Sequence, residues 1–370
     1  YYLFFSASPR DNQTSVTGRG VRPGKTVWAT YIARSKNVEG PYELVDFTSD
    51  EAKEQGYAHD INTTPDTLLT DEEIGIMGEG MDGRPAVKTA DNEVYRLAFP
   101  QSYMRYAYFN PEWYANLVYK INRTDAWDAS GLPTGIDCHP FVDTDGQKYL
   151  YWTFNTNLNV VYCVPMAGDF GGNWLTPDWD KAQYVLAAKY WNIEDFEEGN
   201  FGTTVLPNDE GEYCYDSGDN INEGVAVIEH NGKYYLTGTR NQEPQGFAIL
   251  ESTDLEHWTV PDGSSLQLIL RKGDRTYGEK GFWAPQYFKD KRTYYFTYTA
   301  NEQTVIASSK SVFGPFRQKE VKPIDASAKN IDSFLFKDDD GKYYLYHVRF
   351  NKGLSLIHIS EPTRQAEISY

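Results

Sequence analysis

Short runs of aromatic and β-branched residues, bounded by Asp-Gly, Asn-Gly or Gly-Pro turns, recur along this chain. Tyr-rich runs follow such turns at Tyr149, Tyr234 and Tyr343, and similar runs begin at Tyr1 and Tyr294. Aromatic and β-branched residues favour strands, and Asn-Gly and Asp-Gly favour the tight turns of hairpins. The pattern predicts an all-β fold built from repeated four-stranded sheets with loops of varied length.

The chain also contains an internal duplication. Residues 31–42 match residues 305–316, residues 136–151 match residues 331–346 without a gap, and residues 1–8 resemble residues 294–301. The three segments occur in the same order in both copies, which chance explains poorly. The first copy carries a long insertion over residues 46–134, whereas the second copy is compact.

Composition and charge indicate which partners the chain can have. Of the 370 residues, 40% are hydrophobic and 24% are charged, which is typical of a folded chain. The net charge of −18 argues against nucleic acid or an anionic membrane surface as partner. No apolar run reaches the roughly 18 residues of a membrane span. A neutral substrate fits this charge, and the 29 Tyr and 9 Trp offer flat faces for sugars, although sheet packing accounts for most of them.

The cysteines and the two chain ends carry separate expectations. Cys138, Cys163 and Cys214 form an odd set without a CxxC motif, so zinc and redox motifs are not expected. One disulfide with a free thiol and three reduced thiols both stay open. Since the chain opens inside a predicted strand, we expect a signal peptide to be missing and the protein to be secreted, periplasmic or at the cell surface. Residues 354–370 resemble a translated sequencing-library adapter, with a genuine terminal strand as the alternative.

Glu223 opens an apolar, alternating run that turns through Asn231-Gly232 into a Tyr-rich strand. A sheet places such a carboxylate at the rim of a cleft. Asp137 and Asp332 lie in the duplicated Ile-Asp segments, which are of similar build. Carboxylates that converge on one cleft are the equipment of glycoside hydrolysis, whereas a solvated or turn-capping role is the alternative for each of them alone.

The order of these segments resembles glycoside hydrolase family 43, five-bladed β-propeller enzymes that act on arabinose- and xylose-containing polysaccharides. The similar segments are Asn-Glu-Gly at 222–224 ahead of 231–237, Phe-Trp-Ala-Pro at 282–285, the Ser-Lys and Gly-Pro segments, the two Ile-Asp segments, and residues 252–258. The resemblance implies a five-bladed propeller, an inverting mechanism and no organic cofactor. A structural calcium ion stays open because Asp residues cluster in the Asp-Gly hairpins, although the EF-hand spacing is absent.

The resemblance also implies roles for individual residues. Glu223 matches the general acid, and Asp137 and Asp332 each match the carboxylate that raises the pKa of the acid. Trp283 and Phe282 match a sugar-binding segment, with blade packing as the alternative. His139 and His347 follow the two Ile-Asp segments. His139 is a candidate for binding substrate, with a structural histidine as the alternative for both. No residue matches the general base, with the alternative that Glu223 occupies the place of the base if the segment around it is a first blade.

The same order predicts an unusual domain organisation. Residues 1–237 resemble blades two to four, and residues 233–353 resemble blades one to three. We interpret the chain as a truncated or merged composite of two related copies, with a natural tandem protein as the rival interpretation. The expected partners are arabinan, arabinoxylan or xylan oligosaccharides. The alternative functions are a non-catalytic carbohydrate-binding or interaction propeller, and an inactive composite.

Overall fold

The structure is a computed structural model, and it describes residues 1–7, 29–47, 49–55, 87–88, 95–96, 134–155, 160–187, 221, 223–240, 244–261, 267–350 and 353–359. Nearly all of the regular structure in these residues is β-strand, so the all-β prediction is confirmed. The chain divides into two compact units. The first comprises Tyr1–Tyr184 with Tyr190–Phe201, and the second comprises Val185–Lys189 with Gly202–Tyr370.

The strands of the first unit form antiparallel hairpins and meanders. They are β1 (Tyr2–Ala7), β2 (Ala29–Arg34), β3 (Glu43–Leu44), β4 (Val87–Lys88), β5 (Tyr95–Arg96), β6 (Thr134–Val142), β7 (Lys148–Asn155), β8 (Val160–Pro165) and β9 (Gln183–Ala187), the last of which spans the boundary between the units. The sheet orders are β1-β2-β3, β4-β5 and β6-β7-β8-β9. A five-residue helix, α1 (Asp50–Glu54), follows β3, and short 3-10 turns cover Asp169–Gly171 and Trp179–Lys181.

A buried polar contact joins two sheets of the first unit. The Thr30 hydroxyl on β2 donates to the Gly135 carbonyl on β6 over 2.9 Å and accepts from the indole N–H of Trp152 over 3.0 Å. Trp152 is fully buried on β7. A Cβ at Gly135 would lie 2.6 Å from the Trp152 ring, so this position leaves no room for a side chain. Trp152 therefore packs two sheets of the first unit together. This agrees with sheet packing, the alternative to sugar binding for the aromatic residues.

The second unit contains three successive antiparallel sheets. Its strands are β10 (Glu223–His230), β11 (Lys233–Thr239), β12 (Gly246–Ala248), β13 (Leu250–Ser252), β14 (Leu268–Arg271), β15 (Trp283–Asp290), β16 (Thr293–Ala300), β17 (Gln303–Ser309), β18 (Asn330–Lys337), β19 (Tyr343–Arg349) and β20 (Gly353–Ile359). The main sheets have the orders β10-β11-β13, β15-β16-β17 and β18-β19-β20, and β12 pairs with β14. The first strand of each main sheet packs on the next, β10 against β15 and β15 against β18.

Apolar layers hold these sheets together. Phe247, Phe296 and Phe316 lie in one fully buried cluster, where the Phe296 ring is 5.1 Å from Phe247 and 5.0 Å from Phe316. A second cluster places Tyr295 and Ile306 against residues of β18 and β19. Stacked sheets with their first strands adjacent are the arrangement of propeller blades. No closed sheet is found among the described residues, so a count of five blades stays a prediction.

The two duplicated copies fold alike where the structure describes both. β1 pairs with β2 as β16 pairs with β17, and the Gly40–Pro41 and Gly314–Pro315 peptide bonds are both cis. The domain boundary expected near residues 233–237 and the composite origin of the chain stay predictions. Within the segment expected to be non-native, residues 354–359 pair with β19 as part of β20. Most of the 46–134 insertion lies outside the described residues.

Candidate active site

A β-bulge interrupts the first strand of each main sheet of the second unit near its start. The register shifts between Glu223 and Ala226 on β10, between Trp283 and Gln286 on β15, and between Ile331 and Phe334 on β18. In each bulge one residue has a left-handed backbone conformation, at Gly224 (φ 56°), Ala284 (φ 48°) and Asp332 (φ 53°). Bulges of this kind re-aim side chains at the ends of strands. They therefore turn the candidate residues away from the regular alternation of the sheet.

Threonine hydroxyls fix two of these bulges to the preceding sheet. The Ala284 N–H donates to Thr239 Oγ1 over 3.1 Å, and the Asp332 N–H donates to Thr299 Oγ1 over 3.2 Å. Thr239 and Thr299 are the strand partners of Glu223 and Trp283 in their own sheets. Each sheet thus positions the bulge of the next one.

Asp332 and Glu223 share an electrostatic environment. Glu223 is half-buried as the first residue of β10, and Asp332 is the third residue of β18. Desolvation, followed by the negative charge of Glu223, raises the pKa of the Asp332 carboxyl from 3.8 to about 6. The Asp332 residue as a whole is exposed to solvent, although protein surrounds its carboxyl group closely enough to desolvate it. The upward direction of the pKa shift follows from either cause, desolvation or the nearby negative charge.

Trp283 and Phe282 occupy different environments. Trp283 is half-buried at the start of β15. Phe282 is only 3% exposed, and its ring stacks on Tyr298 with the ring centroids 5.6 Å apart. This position favours packing for Phe282, and direct contact with a substrate stays a prediction for both residues.

Asp137 and His139 lie on β6 in the first unit. Asp137 has a left-handed backbone (φ 55°) within a bulge between Ile136 and His139. It therefore repeats the conformation of Asp332, as the duplication predicts. His139 is half-buried and pairs with Tyr151 in the strand register. Their predicted roles in catalysis and substrate binding stay predictions.

Cys138 follows Asp137 in the chain. Neither Cys138 nor Cys163 forms a disulfide bond among the described residues, and Cys214 lies outside them. Burial raises the pKa of the Cys138 thiol, and the Asp137 charge adds to this rise. A thiol held in its neutral form is a poor nucleophile. Cys138 is therefore not expected to act as a nucleophile.

Two buried polar residues next to Asp332, Ser333 in the same bulge and His347 on the paired strand, are not among the predicted site residues. Ser333 is 5% exposed and His347 is 2% exposed, and the Ser333 Oγ and His347 Nδ1 atoms have no hydrogen-bond partner in the described part of the chain. The two residues face each other across β18 and β19, because the bulge sets Asp332 and Ser333 opposite His347. Only the histidine following the Ile-Asp segment signalled this position in the sequence.

The described residues hold no group of three or more His, Cys, Asp or Glu side chains arranged to bind a metal ion. In the same residues, no helix is long and apolar enough to cross a membrane.

A comparison with known protein families finds a match in part of the chain. Residues 219–368 match the family model of glycosyl hydrolases family 43. The resemblance to this family is therefore confirmed for the segment that contains Glu223, Trp283 and Asp332. None of the curated proteins compared matches the chain.

Several solved structures are similar to part of the chain. An endo-1,4-beta-xylanase from Bacteroides thetaiotaomicron is 39% identical over 36% of this chain and 44% of its own, with a TM-score of 0.32. A thermostable family-43 glycoside hydrolase is 28% identical over 39% of this chain and 50% of its own, with a TM-score of 0.34. An endo-arabinase from B. thetaiotaomicron is 23% identical over 40% of this chain and 53% of its own, with a TM-score of 0.34. The chain spans about half the length of these structures.

Proposed function

We propose that the chain is a glycoside hydrolase of the family 43 type, which cleaves arabinofuranosyl or xylosyl linkages of plant polysaccharides with inversion. The observation that carries the proposal is the family match over residues 219–368, together with the electrostatic coupling of Glu223 and Asp332 inside that segment. The second unit supplies both carboxylates from the starts of separate strands, β10 and β18.

The proposed chemistry requires one carboxyl group to keep its proton near neutral pH. Two nearby carboxylates achieve this, because ionisation of one raises the pKa of the other. We assign Glu223 as the general acid that protonates the leaving oxygen, and Asp332 as the carboxylate that raises its pKa and orients it. The carboxyl whose pKa is raised is that of Asp332, with Glu223 as the negative charge beside it, so the assignment of the acid to Glu223 rests on the resemblance to the family.

The general base has no assigned residue. Inverting hydrolysis places the base and the acid about 6.5–9.5 Å apart, with a water molecule between the base and the sugar. Asp137 is proposed to repeat the role of Asp332 in the other copy, since both are left-handed residues of equivalent bulges. It therefore does not fill the missing role.

The proposed substrates are neutral oligosaccharides of arabinan, arabinoxylan or xylan. A chain with a net charge of −18 favours neutral over anionic polymers. The half-buried Trp283 ring, beside the bulge of β15, is proposed to stack on a sugar. Polysaccharides of this kind are met outside the cell, so we propose a secreted, periplasmic or cell-surface location.

A glutamine substitution tests the acid. Glu223→Gln keeps the size of the side chain and removes its proton, so we expect turnover of xylan or arabinan oligosaccharides to fall about 10²–10⁴-fold. Glu229→Gln, on the same strand, is the matched control and should leave turnover unchanged. Circular dichroism and a melting curve establish that both variants fold.

The assays separate the proposal from its alternatives. Equal loss in both variants, or full activity in Glu223→Gln, would refute the acid assignment. Binding of the oligosaccharides by the unmodified chain without any turnover would instead establish a carbohydrate-binding propeller. If the chain shows no binding and no turnover of these oligosaccharides, both functions are contradicted.

A further inference from the structure

His347 differs from the residues that face the bulges of β15 and β6. In the β15 bulge the facing residue is Tyr298, whose hydroxyl donates to the Tyr277 carbonyl over 2.9 Å. In the β6 bulge it is Trp152, whose indole N–H donates to Thr30. The large polar residue opposite each of these bulges is thus satisfied. His347 is equally buried, yet its Nδ1 atom has no partner in the described residues.

The backbone around Ser333 is held, but its side chain is not. The Thr297 hydroxyl donates to the Ser333 carbonyl over 3.3 Å, and the Asp332 N–H is held by Thr299. The Ser333 Oγ atom, buried beside these contacts, lacks a partner. An unsatisfied buried polar group costs about 1–3 kcal/mol, so two of them on facing residues call for an explanation.

Chemistry and geometry allow the two groups to satisfy each other. Side chains opposite each other on regularly paired strands have Cβ atoms about 4.5–5.5 Å apart, and the bulge places Ser333 and His347 on such facing positions. The Ser333 Oγ and His347 Nδ1 atoms are not hydrogen-bonded in the structure, so the bond requires the Ser333 side chain to adopt another rotamer. Desolvation is the main cause that lowers the pKa of His347, and its imidazole is therefore neutral near pH 7. Of the charged groups around it, Asp325 favours its protonated form, and Arg349 on the same strand opposes it. These two side chains also pair with each other over 3.3 Å.

We propose that His347 is a positioning residue for Asp332. Its neutral Nδ1 accepts a hydrogen bond from the Ser333 hydroxyl, with the ring proton on Nε2, and this bond locks the bulge that aims Asp332 beside Glu223. The proposal rests on the proposed function for its kinetic consequence only. Its structural consequence is that Asp332 stays desolvated as long as the bulge is locked.

The test compares two replacements of His347, of which one keeps the volume of the ring and the other keeps the hydrogen-bond acceptor. His347→Phe keeps the ring volume and removes the acceptor, whereas His347→Asn loses volume and retains a carbonyl acceptor near the Nδ1 position. The pKa of the Asp332 carboxyl is measured by carbon-13 NMR titration of the full chain. We expect it to fall by about one unit towards its ordinary value in His347→Phe and in Ser333→Ala, because the loosened bulge lets water reach the carboxylate. His347→Asn should retain the value of the unmodified chain.

The same variants have a kinetic readout if the chain is a hydrolase. We expect kcat to fall about tenfold in His347→Phe and Ser333→Ala with little change in KM, and His347→Asn to restore most of it. His257→Asn is the control. His257 is an exposed histidine paired with Asp254 outside the site, and its replacement should alter neither quantity.

A space-filling role for His347 predicts the reverse order, with phenylalanine tolerated and asparagine harmful. That order, or an unchanged Asp332 titration in Ser333→Ala, would overturn the proposal. If His347→Phe does not fold, Ser333→Ala decides the matter, because it removes one oxygen atom from the same bond. A chain without hydrolase activity would defeat the proposed function, while the titration would still decide whether His347 positions Asp332.

Discussion

Asp332 combines two unfavourable conditions in one residue. Its backbone is left-handed (φ 53°), and its carboxyl group is desolvated beside Glu223. Aspartate tolerates this backbone region better than most residues, because its short side chain can satisfy local hydrogen bonds. Strain of this kind persists only where the surroundings hold it, here through the Thr299 hydroxyl. Such a residue is retained at a cost in stability, which suits a functional role.

The ionisation of Asp332 should therefore be visible as a pH-dependent stability. Its pKa is higher in the folded chain than in the unfolded chain, so its contribution is fully present below about pH 4 and is lost as the pH rises towards 6. Asp332→Asn cannot ionise, so its free energy of unfolding does not fall as the pH rises through this range. We expect the variant to exceed the unmodified chain in free energy of unfolding by about 1 kcal/mol at pH 7.5, after allowance for solvent screening of an exposed residue.

Urea unfolding at pH 7.5 and pH 3.5 measures this effect. At pH 3.5 the two chains should have nearly the same stability, because the carboxyl group is mostly protonated in both the folded and the unfolded state. Asp339→Asn, at an exposed turn position, is the control and should show no such difference. A variant that is less stable at pH 7.5 would show that the charge of Asp332 is not destabilising.

At the level of elements, one amide side chain joins β15 to β18. The Gln286 Oε1 atom accepts from the Leu335 N–H over 3.0 Å, and its Nε2 atom donates to the Leu335 carbonyl over 3.2 Å. Gln286 is 6% exposed and Leu335 is 1% exposed. The side chain thus replaces the strand-to-strand hydrogen bonds that two stacked sheets cannot make. It also lies at the end of the β15 bulge and near the strand that carries Asp332.

Gln286→Leu should separate these strands. The change leaves the Leu335 N–H and carbonyl buried without partners, so we expect a loss of about 2–4 kcal/mol in the free energy of unfolding. Hydrogen exchange should rise at the Leu335 amide and along β18. Lys319→Ala, at an exposed position, is the control for mutation in the same unit. Unchanged protection of the Leu335 amide would contradict the bridging role.

Across the whole molecule, hairpins and duplication could be predicted from sequence, whereas the site geometry could not. The Tyr-rich runs at Tyr149, Tyr234 and Tyr343 are strands β7, β11 and β19, because turn chemistry and β-propensity are local properties. The left-handed backbone at Ala284 has no local signal, since alanine does not favour it. The bridge made by Gln286 depends on which sheets stack, and a single sequence does not contain that information.

The two units should be distinguishable in unfolding, because each has its own buried core. In the first unit Trp152→Phe removes the indole donor to Thr30 and leaves space beside Gly135, which we expect to cost about 2–3 kcal/mol. In the second unit Gln286→Leu supplies the matching perturbation. Calorimetry of the full chain should show two transitions, with each variant lowering only one of them by about 5–10 °C.

The assignment of the transitions follows from the variants themselves. The transition that Gln286→Leu lowers should also be the one that an oligosaccharide ligand raises, because Glu223, Trp283 and Asp332 all belong to the second unit. A ligand shift confined to the transition that responds to Trp152→Phe would move the binding site to the first unit, where Asp137 repeats the conformation of Asp332. One cooperative transition that both variants lower equally would contradict separate unfolding, since the two cores would then behave as a single cooperative structure.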